Sequence, residues 1–433
     1  MLGFTGRANQ YCDGLQRRDF LRIGALGVAG LSLPNLLRAE AAAGKAATGK
    51  SIINIYLSGG PTHMDTFDLK PNAPKEFRGE FLPIATKASG VEICELMPRL
   101  ASFGDQIALV RSLTGVNNEH SSRQSDSGWS EREMKNAGGR PGLGPVMSKV
   151  LGPAQETSHG TAPTAIDLGG WTRPGFLGQV HAAYRPDGTG RSNLALEGGM
   201  TDERFTGRRG LLAEFDRFRR DVDSKEMMTA MDSFADRAVG IITSGEIYKA
   251  LDTKNEPAES DQRYGVKLDG SNKNFILARR LVEAGVRNVA LSIGGWDTHG
   301  KNFDAMRKKL PALDAALSSL IEDLHNSGRL EDTIIMMSGE FGRTPRINGG
   351  AGRDHWPQAS FFFLAGGGLQ TGQVIGSTNR LGERAEDRPV HLQEVFATIY
   401  HQLGIDPQHP HLTDPNGRPQ FLVDHREPIR ELI

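Results

Sequence analysis

The chain has 433 residues, of which 38% are hydrophobic and 24% are charged, the proportions of a soluble globular protein. Its formal net charge is -1, so no overall field favours nucleic acid or an anionic membrane surface as a partner. The 53 glycines indicate long, shaped connections between the elements.

The N-terminus has the pattern of an export signal. The sequence QRRDFLR (16–22) precedes a modest apolar run (23–37) and small residues up to Ala43. This order is typical of a twin-arginine signal, and an amphipathic helix is the alternative. We predict a signal over 1–43, a periplasmic or extracellular mature chain, and no stable membrane span after cleavage.

Cysteine usage excludes a disulfide framework. Cys12 falls within the predicted signal, so the mature chain keeps only Cys94 and cannot form an intramolecular disulfide. Cys94 stands among apolar residues, and we expect it to be buried packing rather than a nucleophile.

The first predicted strand, 51–57, ends in a glycine-rich turn that carries His63 and Asp65. No nucleotide-binding glycine motif follows the strand, so a nucleotide loop is disfavoured. Polar residues at the end of a strand suit a site, and we assign Asp65 to metal binding and His63 to substrate binding. The alternative is a turn capped by Asp side chains.

A second strand, 107–113, leads into a loop that contains His120. The loop offers hydroxyls, amides and an imidazole, and we assign a catalytic role to His120. The same segment also fits the start of a helix with Ser121 or Ser122 as its N-cap.

Residues 140–270 predict an insertion. The part from 140 to 200 is rich in Gly and Pro and suggests a long excursion over the site, whereas 203–250 has the apolar spacing of helices. We therefore predict one α/β domain over 44–433, interrupted by this loop-rich and helical insertion.

The rest of the chain alternates between strand and helix. The predicted order is a helix, a strand, a long amphipathic helix containing Pro311, two strands and a last helix (274–284, 286–293, 303–324, 333–337, 360–365 and 392–403). This rhythm predicts a doubly wound, mainly parallel central sheet with helices on both faces.

Several predicted strands end in carboxylates and imidazoles. Asp297 and His299 follow the 286–293 strand, while Glu340 and then His355 follow the 333–337 strand. Side chains at the carboxyl ends of parallel strands meet at one edge of the sheet. With Asp65 they form a predicted divalent-metal site, for which Zn²⁺ is preferred and Mn²⁺ or Ca²⁺ are alternatives. The competing interpretation is that each group caps its own turn.

Three arginines accompany Glu340 and suggest anion binding. Arg343 is assigned a catalytic role in holding an oxyanion, and Arg346 and Arg353 are assigned to substrate binding. The alternative is a structural salt bridge from these arginines to Asp354 or Glu340.

Longer motifs carry a resemblance to a known family. They are SGGPTHMDTFD (58–68), GGWDTHG (294–300), GEFGRTPRI (339–347), GRDHWP (352–357), AGGGLQTGQVIGST (365–378) and VHLQEVFATIYHQLGID (390–406). With the twin-arginine signal, the chain resembles an exported bacterial family of unknown function within the alkaline-phosphatase-like, or sulfatase-like, superfamily. The resemblance implies the fold of that superfamily and a divalent-metal centre.

The resemblance also implies where this chain departs from the superfamily. The Asp-His pair expected after the last site strand falls on Glu340 and Phe341, so one ligand is replaced by a phenyl ring. No Cys-x-Pro-Ser-Arg sequence is present, which disfavours formylglycine chemistry, and no residue from Ser112 to Ser122 matches the nucleophile.

Two functions follow from the sequence. The first is an exported metal-dependent hydrolase of phosphate or sulfate esters, acting on a small-molecule, envelope or polysaccharide substrate. The alternative is a non-catalytic protein that reuses the fold to bind a glycan or another partner. Neither involves nucleic acid.

Overall fold

The computed structural model describes residues 49–152, 154–157, 160–187 and 245–433. The predicted signal over 1–43 and most of the predicted helical segment 203–250 lie outside these residues. Within the described ranges, no helix combines the length and the apolar character that crossing a membrane requires.

An eight-stranded sheet forms the centre of the described domain. Its strands are β1 (Ser51–Leu57), β2 (Ile107–Thr114), β3 (Ala165–Asp167), β4 (Asn288–Ile293), β5 (Thr333–Ser338), β6 (Ser360–Gly366), β7 (Gln373–Ile375) and β8 (Val390–His391). Their order across the sheet is β7-β2-β6-β5-β1-β4-β3, and β8 also pairs with β2. The strand β1 is central and buried along its whole length, with β4 and β5 parallel to it on either side.

The sheet is mixed, because one of its eight strands runs against the other seven, and most of its pairings are parallel, as expected. The strand β6 runs antiparallel to both of its neighbours, β2 and β5. A parallel return needs a crossover connection, usually a helix. The connection from β5 to β6 instead carries a two-stranded ladder, Gly342–Arg343 with His355–Trp356. The chain therefore re-enters the sheet in the opposite direction.

Helices cover both faces of the sheet. They are α1 (Lys75–Arg78), α2 (Pro98–Ala101), α3 (Arg123–Ser127), α4 (Leu143–Leu151), α5 (Glu246–Leu251), α6 (Ser260–Arg263), α7 (Lys273–Glu283), α8 (Asn302–Asn326) and α9 (Leu392–Gln402). Ile53 and Ile55 of β1 share one core with apolar residues of α7 and α8, whereas Ile52 belongs to a second core with α4 and α9. Successive strand residues point to opposite faces, so the architecture is a three-layer α/β domain.

The predicted excursion over 140–200 is partly built into the domain. It contains α4 and the edge strand β3, which pairs in parallel with β4. With only three residues, β3 is too short for a periodic pattern to reveal it. The helix α8 runs through Pro311 without interruption.

Candidate metal centre

Four side chains converge at the edge of the sheet where β1, β4 and β5 end. His120 comes from the loop after β2, and Asp297 and His299 come from the loop after β4. His355 lies on the ladder between β5 and β6, opposite Arg343. We call His120, Asp297, His299 and His355 the cluster. Its three imidazoles and one carboxylate are brought together from three separate connections.

The potential ligand atoms of the cluster lie close together. The Nε2 atom of His355 is 3.0 Å from Nε2 of His120 and 3.1 Å from Nε2 of His299. Oδ1 of Asp297 is 3.0 Å from Nε2 of His299 and 3.2 Å from Nε2 of His355, and Oδ2 is 3.6 Å from Nε2 of His120. One ligand atom each of His120, Asp297 and His355 lies within 4.8 Å of the others, and Nε2 of His299 lies just as close to Asp297 and His355.

The other ring nitrogen of each imidazole faces an oxygen acceptor. Nδ1 of His120 donates to Oε1 of Glu340 at 3.0 Å, and Nδ1 of His299 donates to Oδ1 of Asp354 at 2.7 Å. Nδ1 of His355 donates to Oδ1 of Asn118 at 2.9 Å. A neutral imidazole carries one N–H, so these partners assign the proton to Nδ1 in all three rings.

This arrangement turns three Nε2 lone pairs towards one another and towards a carboxylate. Lone pairs and a negative charge repel at hydrogen-bond distance, so the neutral cluster has no internal donor that would hold it together. A cation at its centre satisfies all of these atoms at once. An imidazole ligand whose other nitrogen donates to a carboxylate or carbonyl is the usual second-shell pattern of zinc sites.

The charge state of the cluster also suits a cation. Burial tends to raise the pKa of Asp297, but the hydrogen bond and the positive charge of Arg343 act against burial, and that pKa lies below its usual range. Burial lowers the pKa of His355, and the nearby Arg343 lowers it further. A hydrogen bond from His299 lowers the pKa of Asp354. Near neutral pH the carboxylates are therefore ionised, and the ring of His355 is neutral.

Glu340 lies behind the cluster rather than in it. Its carboxylate is 1% exposed and accepts the backbone N–H groups of Gly59 and Gly60 at 3.0–3.1 Å, besides the Nδ1–H of His120. Through the last of these bonds Glu340 orients His120, and its ligand role stays a prediction.

Arg343, predicted to be catalytic, is fully buried. Its guanidinium donates to the carbonyls of Gly59, Gly60 and Arg353 and to Oδ1 of Asp297. With its donors committed to the backbone and to Asp297, the guanidinium has no face open to a substrate. The guanidinium holds Asp297 in place, and its catalytic role stays a prediction.

Asp65 and Arg353 form a buried ion pair away from the cluster. The carboxylate of Asp65 accepts hydrogen bonds from Nε of Arg353 at 2.7 Å and from Nη2 at 3.1 Å. It also accepts hydrogen bonds from the side chains of Thr62 and Asn302. Both side chains are at most 1% exposed. Each neutralises the other inside the protein, so the structure does not bring them to the cluster, and the metal role of Asp65 and the substrate role of Arg353 stay predictions.

The remaining two predicted residues differ in exposure. His63 is fully buried and its Nε2 lies 2.8 Å from the carbonyl of Gly382, so a substrate cannot reach the ring. The structure therefore does not bring His63 to the cluster, and its substrate role stays a prediction. Arg346 is exposed on the connection between β5 and β6, and its substrate role stays a prediction.

The surroundings of the cluster offer an apolar wall and no hydroxyl nucleophile among the neighbouring serines. The ring of Phe341 lies 4.4 Å from that of His355 and 5.1 Å from that of His120. The hydroxyl of Ser121 donates to Glu131, and the hydroxyl of Ser122 donates to the carbonyl of Trp171. Cys94 is buried and free, as expected, and burial raises its pKa to about 12.

Two residues of the site carried no assignment from the sequence, although both had local signals. Asp354 directly precedes His355, and Asn118 stands two residues before His120. A polar residue close to a histidine in sequence is consistent with a side chain that accepts a hydrogen bond from an imidazole of the site. Which nitrogen each one faces depends on contacts across the fold.

Comparisons with known proteins point to one family. A family model described as "Protein of unknown function (DUF1501)" matches residues 49–433. No curated protein gives a significant match.

Solved structures of similar fold are distant. PsFucS1 sulfatase from Pseudoalteromonas sp. aligns with a TM-score of 0.37 and 12% identity, covering 89% of this chain and 75% of the sulfatase. The lipoteichoic acid synthase LtaP from Listeria monocytogenes gives 0.35 and 12%, covering 83% and 73%. Ps i-CgsB in complex with k-i-k-neocarrahexaose gives 0.34 and 10%, covering 86% and 74%.

Proposed function

Because this chain belongs to the DUF1501 family, whose description leaves function open, we propose a function from its own site. We propose that it is an exported, metal-dependent hydrolase of phosphate or sulfate esters. The ester class rests on the resemblance of its motifs to the alkaline-phosphatase-like superfamily. The same proposal includes export of the protein and a polysaccharide or envelope substrate. It also includes the doubly wound fold of that superfamily.

One observation carries the metal centre. Three imidazoles present Nε2 lone pairs to one another and to Asp297, and each Nδ1–H is held by an oxygen acceptor. The Nε2 atoms of His120 and His355 are 3.0 Å apart, close to the edge of a zinc tetrahedron, about 3.3 Å for Zn–N bonds near 2.05 Å. Nitrogen-rich ligands favour Zn²⁺ over Ca²⁺, which prefers oxygen.

Three residues would hold the ion and leave a position for substrate. His120, Asp297 and His355 have ligand atoms within 4.8 Å of one another, and three protein ligands with an open position are typical of catalytic zinc. When bound, a divalent ion supplies Lewis acidity that polarises an ester oxygen and lowers the pKa of water.

His299 is proposed to act beside this group. Asp354 fixes its Nδ1–H, so Nε2 is free to accept a proton and to return it to the leaving ester oxygen. Arg343 keeps Asp297 ionised and oriented, and Phe341 limits access of water to two of the imidazoles.

The test measures metal content and turnover in parallel. Purified mature protein is analysed for bound metal and assayed with 4-nitrophenyl phosphate and 4-nitrophenyl sulfate, beside His355→Ala and His299→Ala. We expect about one zinc in the parent, loss of metal and activity in His355→Ala, and retained metal with activity lowered by 10²-fold or more in His299→Ala. A folded parent protein that was produced with an ample supply of metal and still contains no bound metal would contradict the proposal.

One observation favours the alternative of a non-catalytic binding protein. The hydroxyls of Ser121 and Ser122 are committed elsewhere, so neither serine offers the cluster a nucleophile. That alternative predicts bound metal and retention on a glycan column, with no turnover of either ester in any metal.

A further inference from the structure

The loop between β2 and α3 carries a second polar residue whose place in the site is specific. Asn118 accepts Nδ1–H of His355 through Oδ1 at 2.9 Å, across 237 residues of sequence. The other two imidazoles use the carboxylates Glu340 and Asp354 for the same purpose. Asn118 is thus the uncharged member of the three acceptors.

The side chains of Asn118 and His120 also attach residues 117–121 to the connection that follows β5. The backbone of Asn117 bonds to the side chain of Gln124, while Ser121 bonds to Glu131 and Glu119 accepts the backbone N–H of Glu131. These bonds stay within the loop and the segment that follows it. Within the part of the chain that the structure describes, the hydrogen bonds from 117–121 to more distant segments come from the side chains of Asn118 and His120.

The choice of an amide has an electrostatic consequence. The carboxylates of Asp297, Glu340 and Asp354 carry three negative charges, and the guanidinium of Arg343 carries one positive charge. A divalent ion in the cluster brings the net charge of this set to zero. A carboxylate in place of Asn118 would leave this set with a net negative charge. An amide oxygen fixes the tautomer of His355 without adding charge.

We propose that Asn118 is a positioning residue that couples occupancy of the metal centre to docking of residues 117–121. It sets Nε2 of His355 as the ligand atom, and through the same hydrogen bond it ties the loop that delivers His120. Binding of an ion to His120 and His355 then closes the loop onto the sheet edge. This inference rests on the proposed metal centre, but it does not require hydrolysis.

The experiment compares three variants of the full mature protein by Zn²⁺ affinity, measured by competition with a chelating dye. Asn118→Ala removes the acceptor, and we expect a 10–100-fold loss of affinity, the range found for second-shell changes. Asn118→Asp keeps an acceptor oxygen and is expected to bind at least as tightly as the parent. Asn117→Ala is the matched control, since only its backbone makes the recorded bonds, and its affinity should equal that of the parent.

Hydrogen exchange supplies the second readout. Zn²⁺ should slow exchange of amides in 117–121 in the parent and in Asn117→Ala, and much less in Asn118→Ala. Unchanged affinity in Asn118→Ala, equal losses in both alanine variants, or no effect of Zn²⁺ on loop exchange would each overturn the inference while the metal centre stands. A parent that binds no Zn²⁺ overturns both. Zn²⁺ binding without ester turnover contradicts only the proposed hydrolase.

Discussion

At the scale of single residues, the site depends on what lies behind each imidazole. Glu340 is buried, yet its carboxylate accepts three N–H donors, from Gly59, Gly60 and His120. Burial of a charge is costly without partners, and charge-assisted hydrogen bonds offset that cost. The same carboxylate therefore stabilises the turn after β1 and orients His120, a ligand of the proposed metal centre.

Glu340→Gln tests this double role. Glutamine has one acceptor oxygen, so its NH₂ group would face an N–H donor in a buried position. We expect a loss of about 1–3 kcal/mol in the free energy of unfolding and a 10–100-fold loss of Zn²⁺ affinity, measured by denaturation and by metal competition. The exposed Glu386→Gln is the control and should change neither. Equal behaviour of the two variants would refute the assignment.

At the scale of elements, the turn after β1 fits tightly against the loop after β4. Gly59 has φ +114°, and a Cβ at that position would lie 2.4 Å from the backbone nitrogen of Asp297. Only glycine accepts both the conformation and the contact. The turn therefore sets the position of the loop that carries Asp297 and His299.

Gly59→Ala should displace that loop. We expect the free energy of unfolding to fall by more than about 1 kcal/mol, because the backbone is incompatible with a side chain, and we expect Zn²⁺ affinity to fall with it. Gly294→Ala, where a Cβ would meet no atom within 4 Å, is the matched control on the Asp297 side. Metal binding that survives in Gly59→Ala would show that the contact is unimportant.

A network of ion pairs joins the helices on one face. Glu256 is nearly buried and accepts both Arg279 and Arg280 of α7, while Arg279 also pairs with Glu283. Arg280 further donates to the carbonyl of Ala250 at the end of α5. The network therefore fastens α5 and the following loop to α7.

Removing the shared acceptor should be costly. Glu256→Gln removes the charge partner of Arg280 and one of the partners of Arg279, both partly buried, and we expect a loss of about 3 kcal/mol in denaturant unfolding. Glu246→Gln breaks the exposed pair with Lys249 and should change stability by less than about 0.5 kcal/mol. Similar losses in both variants would argue against a special role for the network.

At the scale of the whole molecule, buried titratable groups oppose one another as pH changes. Burial lowers the pKa of His63, His355 and His391, so the unfolded chain binds more protons, and these residues reduce stability as pH falls below about 6.5. Burial raises the pKa of Asp126 to about 7, which has the opposite effect. Its protonated form is favoured in the folded state, so its contribution is lost as pH rises from about 4 to 7.

Asp126→Asn isolates one of these contributions. The carboxyl accepts the backbone N–H groups of Leu143 and Arg173, and an amide cannot ionise there. We expect the stability of the variant relative to the parent to improve as pH rises from 5 to 7, by at most about 1.4 kcal/mol per pH unit. Urea unfolding of the metal-free proteins at several pH values measures this slope. A pH-independent difference would show that Asp126 is ionised throughout.

The sequence by itself determined the elements and the polar ends of the strands. Hydrophobic periodicity is local, so the strands that became β1, β2, β4, β5 and β6 were predicted within a residue or two. The same pattern placed Asp297, His299 and His355 at one edge of the sheet, because strands that run in the same direction end at the same edge. Hydrophobic periodicity did not predict the direction of β6 or the existence of the edge strand β3, since neither leaves a periodic signal.

Only the tertiary structure decided which polar residues meet a ligand and which meet each other. Asp65 pairs with Arg353, 288 residues away, and Arg343 closes on Asp297. Asp65 and Asp297 had looked alike in the sequence, each a carboxylate close behind a buried strand. A buried charge must find a partner, and the nearest partner is fixed by contacts between distant segments rather than by spacing along the chain.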